Sequence, residues 1–442
     1  MPTRGSCFAL CILALVAADV AKTREQKVRE DRQKVEAEGF WIYNDLPRAF
    51  ETAEKTGKPL LVVLRCIPCE ECVKLDDELV DRDPVLRPLM EKFVCVRVVG
   101  TNGLDLSLFQ YDTDQSFAVF LLNADRTIYG RFGTRSHRTD WIGDVSLEGL
   151  AKALRRALAL HADYPKNKPA LAGKTDPAPE FARPELYPSL KDKYTSTLNY
   201  EGNVVKSCIH CHQIGDAQRQ FYRDKDEPIP EAVLFPYPHP RAVGLVLAPN
   251  ECATVREVTK DSAAERSGFR AGDVIDTLEG QPLLSMADVQ WVLQRSPAAG
   301  GELKAEVIRD GRRMPIALSL PAGWRQADNI SWRATAWGLR RMATGGLLLK
   351  ELSAEKRVDI DVSAKGMALR VEHVGQYGPH AAAKQAGFQE DDIFVEFDGR
   401  TDLNRETDLI RHALTAHRAG EQVPVVVLRK AQRVKLMLPM QK

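Results

Sequence analysis

The chain has 442 residues, 44% of them hydrophobic and 28% charged, which is globular material for about three domains of ordinary size. Its 62 basic and 61 acidic side chains leave a formal charge of +1, so the composition carries no general footprint for nucleic acid or anionic membrane.

Residues 1–18 read as a signal peptide, with Arg4 as the positive end, Cys7 to Ala18 as the apolar run and Val16-Ala17-Ala18 as the small residues of a cleavage site. That apolar run is too short to span a bilayer comfortably, and no later segment is long enough. The expectation is an exported protein, periplasmic or secreted, with no transmembrane span after processing. Cys7 and Cys11 leave with the leader. Cys66, Cys69, Cys72, Cys95, Cys208, Cys211 and Cys252 remain, in a compartment where disulfides and thioethers persist.

Residues 19–38 are charged and rich in helix formers, as in a solvated helix or spacer. Asp45 to Thr56 has helical spacing and stops at Gly57-Lys58-Pro59. Leu60 to Leu64 is a continuous apolar run, the mark of a strand covered on both faces. Cys66-Ile67-Pro68-Cys69-Glu70-Glu71-Cys72 follows, then a helical pattern through Val73, Leu75 and Leu79. Strands are expected over Phe93 to Val99, Phe117 to Leu122 and Thr127 to Phe132, and a helix over Leu147 to Leu160. Over residues 39–163 this order resembles the thioredoxin fold. The resemblance implies thiol–disulfide exchange, with Cys69 attacking from a helix N-terminus, Cys72 resolving and Cys66 an upstream addition. Glu70 and Glu71 oppose a thiolate and push the couple toward a more reducing potential. The family's cis-proline has no counterpart in Asp114 to Val119. A structural disulfide or a metal site is the alternative for these cysteines, and Cys95 reads as core.

Residues 164–189, rich in Pro, Ala and Lys, read as a linker or extended strap. Within 190–240 lies Ser207-Cys208-Ile209-His210-Cys211-His212, the sequence form of covalent haem c attachment. Cys208 and Cys211 would each form a thioether with one vinyl group, and His212 would ligate iron. Zinc is the alternative occupant. The region is too short for a complete cytochrome, so neighbouring domains would supply part of the pocket. His239, between Pro238 and Pro240, is the candidate second iron ligand, with an exposed loop histidine as the plain alternative.

Ala263 to Ile275 is echoed by Ala382 to Phe394 at an offset of 119 residues. Gly-Phe, then Gly-Asp-Val-Ile and a later Gly resemble the PDZ domains of bacterial envelope proteases, over 241–322 and 365–442. The resemblance implies peptide addition to a sheet edge, with the terminal carboxylate in a nest of backbone N–H groups. The nest would fall at Val243-Gly244-Leu245-Val246 and at Lys365-Gly366-Met367-Ala368. Val289 and Leu293 on the following helix would select the peptide. In the second copy Asp391 replaces the turn glycine, from which a less regular turn is expected. Residues 323–364, with Trp332 and Trp337, read as an interdomain packing segment, and no serine-protease motif is present. The fold class expected is multidomain α/β and α+β: a thioredoxin-like α/β domain followed by two PDZ-like β-rich domains. The function expected is exported redox chemistry, by thiol–disulfide exchange or haem-mediated electron transfer, with PDZ modules recruiting a protein or peptide partner. The alternative is a non-catalytic envelope adaptor that binds peptide C-termini, its cysteines structural or zinc-binding.

Overall fold

Thr23 opens the first helix, Arg24–Glu38, with a capping box: its hydroxyl accepts from Gln26 N at 3.2 Å, and Gln26 Oε1 accepts from Thr23 N at 2.8 Å. Val28 and Val35 are buried, and Arg29 donates to the carbonyls of Tyr200 and Gly202, so this charged segment is docked and is not a solvated spacer. The computed structural model describes residues 22–65, 83–115, 117–133, 145–177, 179–363 and 365–442. The leader and the Cys66, Cys69 and Cys72 positions lie outside the described residues.

The first sheet runs β1(Ile42–Tyr43), β3(Val94–Val98), β2(Leu60–Arg65), β4(Phe117–Leu122), β5(Ile128–Phe132) in spatial order. β1, β3 and β2 are parallel, while β4 and β5 are added antiparallel. Side chains alternate between faces, so Leu60, Val62 and Leu64 enter one core while Leu61 and Val63 enter the other. Helix Leu46–Thr56 covers the first face, and helix Leu147–Ala162 covers the second.

The second half is a repeat. In the first unit, β6(Leu245–Leu247) pairs β7(Val255–Val258), and β8(Val274–Leu278), β9(Gln281–Pro282), β10(Gly301–Arg309) and β11(Arg312–Leu320) form a four-stranded sheet. In the second unit, β12(Leu347–Glu351), β13(Leu369–Val374), β14(Ile393–Phe397), β15(Gln422–Arg429) and β16(Gln432–Pro439) lie in sequence order. Both units use the same lock. Asp273 binds Arg309 through two bonds of 2.7 and 2.8 Å, and Asp392 binds Arg429 through two of 2.7 Å. Gly272 has φ 92° and Asp391 has φ 66°, so the turn expected to lose regularity keeps its left-handed residue. Asp tolerates that region better than most residues.

The connection at 164–189 is a packed strap. Leu171 and Tyr187 are buried in the two cores of the first sheet, and Lys174 forms a fully buried ion pair with Asp288 of the first unit at 2.9 Å. Asp288 lies on helix Met286–Arg295, whose residues Met286 to Leu293 are all buried. This helix closes the open edge of β5: Arg131 N donates to Asp288 Oδ1 at 3.2 Å, and Ser285 Oγ donates to Arg131 O at 2.6 Å. Capping an edge strand with side chains removes a template for unwanted pairing.

Candidate functional site

Parallel β2 and β3 end side by side, Leu64 opposite Val98, and the loop after β3 receives the Cys-Ile-His-Cys-His segment. Thr101 N and Oγ1 donate to Ile209 O at 3.0 and 2.8 Å. Asn102 clamps the other side, accepting from Ile209 N at 2.8 Å and donating to Ser207 O at 2.9 Å. Ile209 is fully buried in the core beneath the sheet. The segment is thus part of the first domain's packing, at the end of the sheet from which the Cys66-to-Cys72 stretch departs in sequence.

Its side chains have different fates. Cys208 carries a free thiol packed against Val99 O at 3.8 Å and Gly100, where an added Cβ would stand 3.0 Å from the sulfur. Burial, with the neighbouring Cys211 adding to it, pushes this thiol up to about 12. Cys211 begins helix Cys211–Asp224, and its sulfur accepts the Tyr111 hydroxyl at 3.0 Å. A helix N-terminus and a hydroxyl donor both stabilise negative charge on sulfur. His212 Nδ1 donates to Thr113 O at 3.1 Å and lies 3.9 Å from Asp114 Oδ1. Asp114 and Asp112 are held from the far side by the buried Arg333, at 3.2 and 2.7 Å, and Thr335 N donates to Asp114 Oδ1 at 3.0 Å. The loop 111–115 before β4 is therefore gripped between the cysteine segment and the strand-free stretch 323–335.

Cys208 is buried against Val99 and Gly100, so a thioether at its sulfur requires that packing to open. His239 is the N-cap of the turn Pro240–Val243, with Nδ1 accepting Arg241 N at 3.2 Å. Among the described residues, the group of three possible metal ligands that comes together is Asp398, His412 and His417, not the cysteine segment.

In the first unit, Val243 ends a short turn, Gly244 takes φ 90°, and Leu245 and Val246 enter β6. An added Cβ at Gly244 would stand 2.1 Å from Ser262 Oγ, so only glycine fits. Val289 and Leu293 are fully buried in this unit's own core. In the second unit the register differs from expectation. Val255 exchanges bonds with Gly272 and Asp273, and Val371 makes the same bonds with Asp391 and Asp392. β13 is thus the counterpart of β7, and β12 that of β6. The counterpart of Val243 to Val246 is Gly345-Gly346-Leu347-Leu348, while Lys365-Gly366-Met367-Ala368 leads into β13. Met367 N donates to Thr401 O at 2.8 Å and Ala368 O accepts from Leu352 N at 3.1 Å, so that backbone is already paired. The shared Gly-Leu-x-Leu of 244–247 and 346–349 was the readable sign. Two residues unmarked in sequence also matter: Glu406 Oε1 accepts Leu349 N at 2.8 Å, and Arg340 binds Glu406 at 2.9 and 2.6 Å, closing the β12 edge.

Family models match twice, a thioredoxin-like family over 41–124 and a PDZ domain over 254–300. The chain carries a thioredoxin-like domain and a PDZ domain. Among curated proteins, it is 29% identical over 143 residues to a probable periplasmic serine protease do/HhoA-like of Haemophilus influenzae, covering 32% of this chain and 26% of that one. It is 28% identical over 181 residues to a probable periplasmic serine endoprotease DegP-like of Pseudomonas fluorescens, covering 41% and 36%. The chain thus spans about a quarter to a third of these relatives. The solved structure of the HtrA-type protease AlgW with decapeptide aligns with 31% of this chain and 55% of that chain, at 14% identity and a TM-score of 0.19. Among the described residues, no helix is long and apolar enough to cross a membrane.

Proposed function

We propose that the chain is an envelope thiol–disulfide exchange protein that recruits its substrates through PDZ-type peptide binding. The observation that carries this is the thioredoxin-like family match over 41–124, which spans Cys69 and Cys72. The Cys208-to-His212 segment is clamped to the end of the same sheet, with Cys211 at a helix N-terminus under the Tyr111 hydroxyl. In the exchange, the Cys69 thiolate attacks a partner disulfide, forming a mixed disulfide and releasing one partner thiolate. Cys72, as thiolate, then attacks Cys69 Sγ and releases the second. The pair loses two electrons and the partner gains them. Glu70 and Glu71 favour this reducing direction. The periplasmic relatives support an envelope location.

Recruitment is assigned to the first unit, where among the described residues β6 has one strand partner and the Gly244 turn precedes its edge. The second unit is read as a further PDZ module whose β12 edge is capped internally by Glu406. The test is reduction of a model disulfide such as insulin by the wild type and Cys69→Ser. Activity lost in the variant supports the exchange; an inactive wild type leaves the non-catalytic adaptor. The haem c reading draws on the same segment, with Cys208 having to leave its seat. A reduced pyridine haemochrome spectrum of protein made with a cytochrome c maturation system decides it, a covalent haem band favouring haem and its absence the thiol reading.

A further inference from the structure

The second unit carries a histidine pair that neither thiol exchange nor peptide recruitment uses. Asp398 and Gly399, with φ 52° and 71°, form a two-residue turn across which Phe397 and Arg400 pair. Asp-Gly is the residue choice such a turn requires. Asp398 Oδ2 lies 2.9 Å from His412 Nε2 and 3.0 Å from His417 Nε2. His412 is in the last turns of helix Glu406–Ala416, and His417 is its C-cap. The imidazole rings meet edge to face at 5.8 Å, and both stand edge-on to the fully buried Phe397, at 6.1 and 6.5 Å. The rings therefore rest on a fixed floor.

These separations suit a small divalent ion. Ligand atoms about 2.0–2.2 Å from tetrahedral zinc stand roughly 3.3 Å from one another. The two carboxylate–imidazole separations, 2.9 and 3.0 Å, need to open by only a few tenths of an ångström, and the three atoms all lie within 4.8 Å of one another. Imidazole and carboxylate are donors that zinc takes. Glu421 Oε2 accepts from His417 Nδ1 at 2.9 Å, the outer carboxylate that orients a ligating histidine. Arg400 Nη1 stands 3.5 Å from His412 Nδ1, and its charge is matched by Asp402 at 2.6 Å. The histidine side chains are 15% exposed and Asp398 32%, which leaves a side open for a water ligand. The repeat supplies an internal comparison. Aligned on the helix N-caps Ser285 and Arg405, the first unit has Val292 and Pro297 at the two histidine positions. The cluster is not a requirement of the shared fold.

We propose that Asp398, His412 and His417 form a divalent-metal site, zinc by its donor chemistry, with Glu421 positioning His417. Metal at the two Nε2 atoms displaces the protons that bond Asp398, and these pass to solvent. The test is calorimetric titration of the full chain, its accessible thiols blocked with iodoacetamide, with zinc chloride. One ion per chain is expected, and none in His417→Ala or Asp398→Asn. Glu421→Gln is expected to keep the stoichiometry and weaken affinity about 10–100-fold. Cobalt(II) should give visible bands without thiolate charge transfer. Circular dichroism of the metal-free variants checks folding, and His412→Gln replaces any variant that fails to fold. No uptake by the blocked wild type, or equal uptake by the variants, overturns the proposal.

Discussion

Cys208 and Cys211 share a loop but not an environment. Cys208 is sealed against Val99 and Gly100 and its thiol is pushed up to about 12 by burial, whereas Cys211 is half-buried beside a hydroxyl donor. In the native reduced chain at pH 8, iodoacetamide should therefore modify Cys211 and spare Cys208, as read by peptide mass mapping; comparable labelling of both would contradict this packing. The raised value also has a thermodynamic sign. The unfolded chain ionises this thiol first, near its ordinary 9.0, so the contribution to stability is whole below that pH and is lost as pH climbs toward 12. The motif's spacing was plain in sequence. Its burial was not, because burial depends on Thr101, Asn102 and Gly100, which carry no pattern of their own.

At the scale of elements, β2 and β4 were legible because strands covered on both faces read as unbroken apolar runs, β3 because its apolar run is broken only by Arg97, and β5 because it follows β4 across the turn Asn123 to Arg126. The two-residue β1 is too short to leave such a run. The second nest was misplaced because the repeat's fixed offset holds from Ala263 and Ala382 onward, but the connection between the first two strands is longer in the second unit. β12 therefore fell inside the stretch read as interdomain packing. Two substitutions test the element contacts. An added Cβ at Gly130 of β5 would stand 2.7 Å from Asp288 Oδ2 and Leu284 Cδ2, so Gly130→Ala should cost about 1–3 kcal/mol in urea unfolding. Glu406→Ala leaves the buried Arg340 without its carboxylate and should cost about 3–5 kcal/mol, with a lower melting midpoint. An unchanged midpoint in either variant would show that the contact does not constrain the element.

Across the whole molecule, the strap 164–189 and the first unit's helix tie the PDZ domain to the thioredoxin-like sheet. Besides the Lys174–Asp288 pair, Arg156 reaches Asp276 at 2.7 Å, the Trp291 indole donates to Gly173 O at 2.9 Å, and the Arg131 guanidinium lies 3.8 Å above the Trp291 ring. A Pro- and Lys-rich composition reads as a linker, since a lone lysine does not announce its buried partner 114 residues on. The modules were therefore legible and their docking was not. That docking gives the proposed function a geometric content: a peptide held at β6 is presented by a domain fixed against the thiol-bearing one. The most direct measurement is covalent trapping. Cys72→Ser, which cannot resolve a mixed disulfide, is incubated with a disulfide-containing peptide bearing a free C-terminus, and the adduct is mapped by mass spectrometry. An adduct at Cys69 whose yield falls when the peptide is amidated is expected; no adduct at Cys69, or one indifferent to amidation, would contradict thiol exchange on PDZ-recruited peptides.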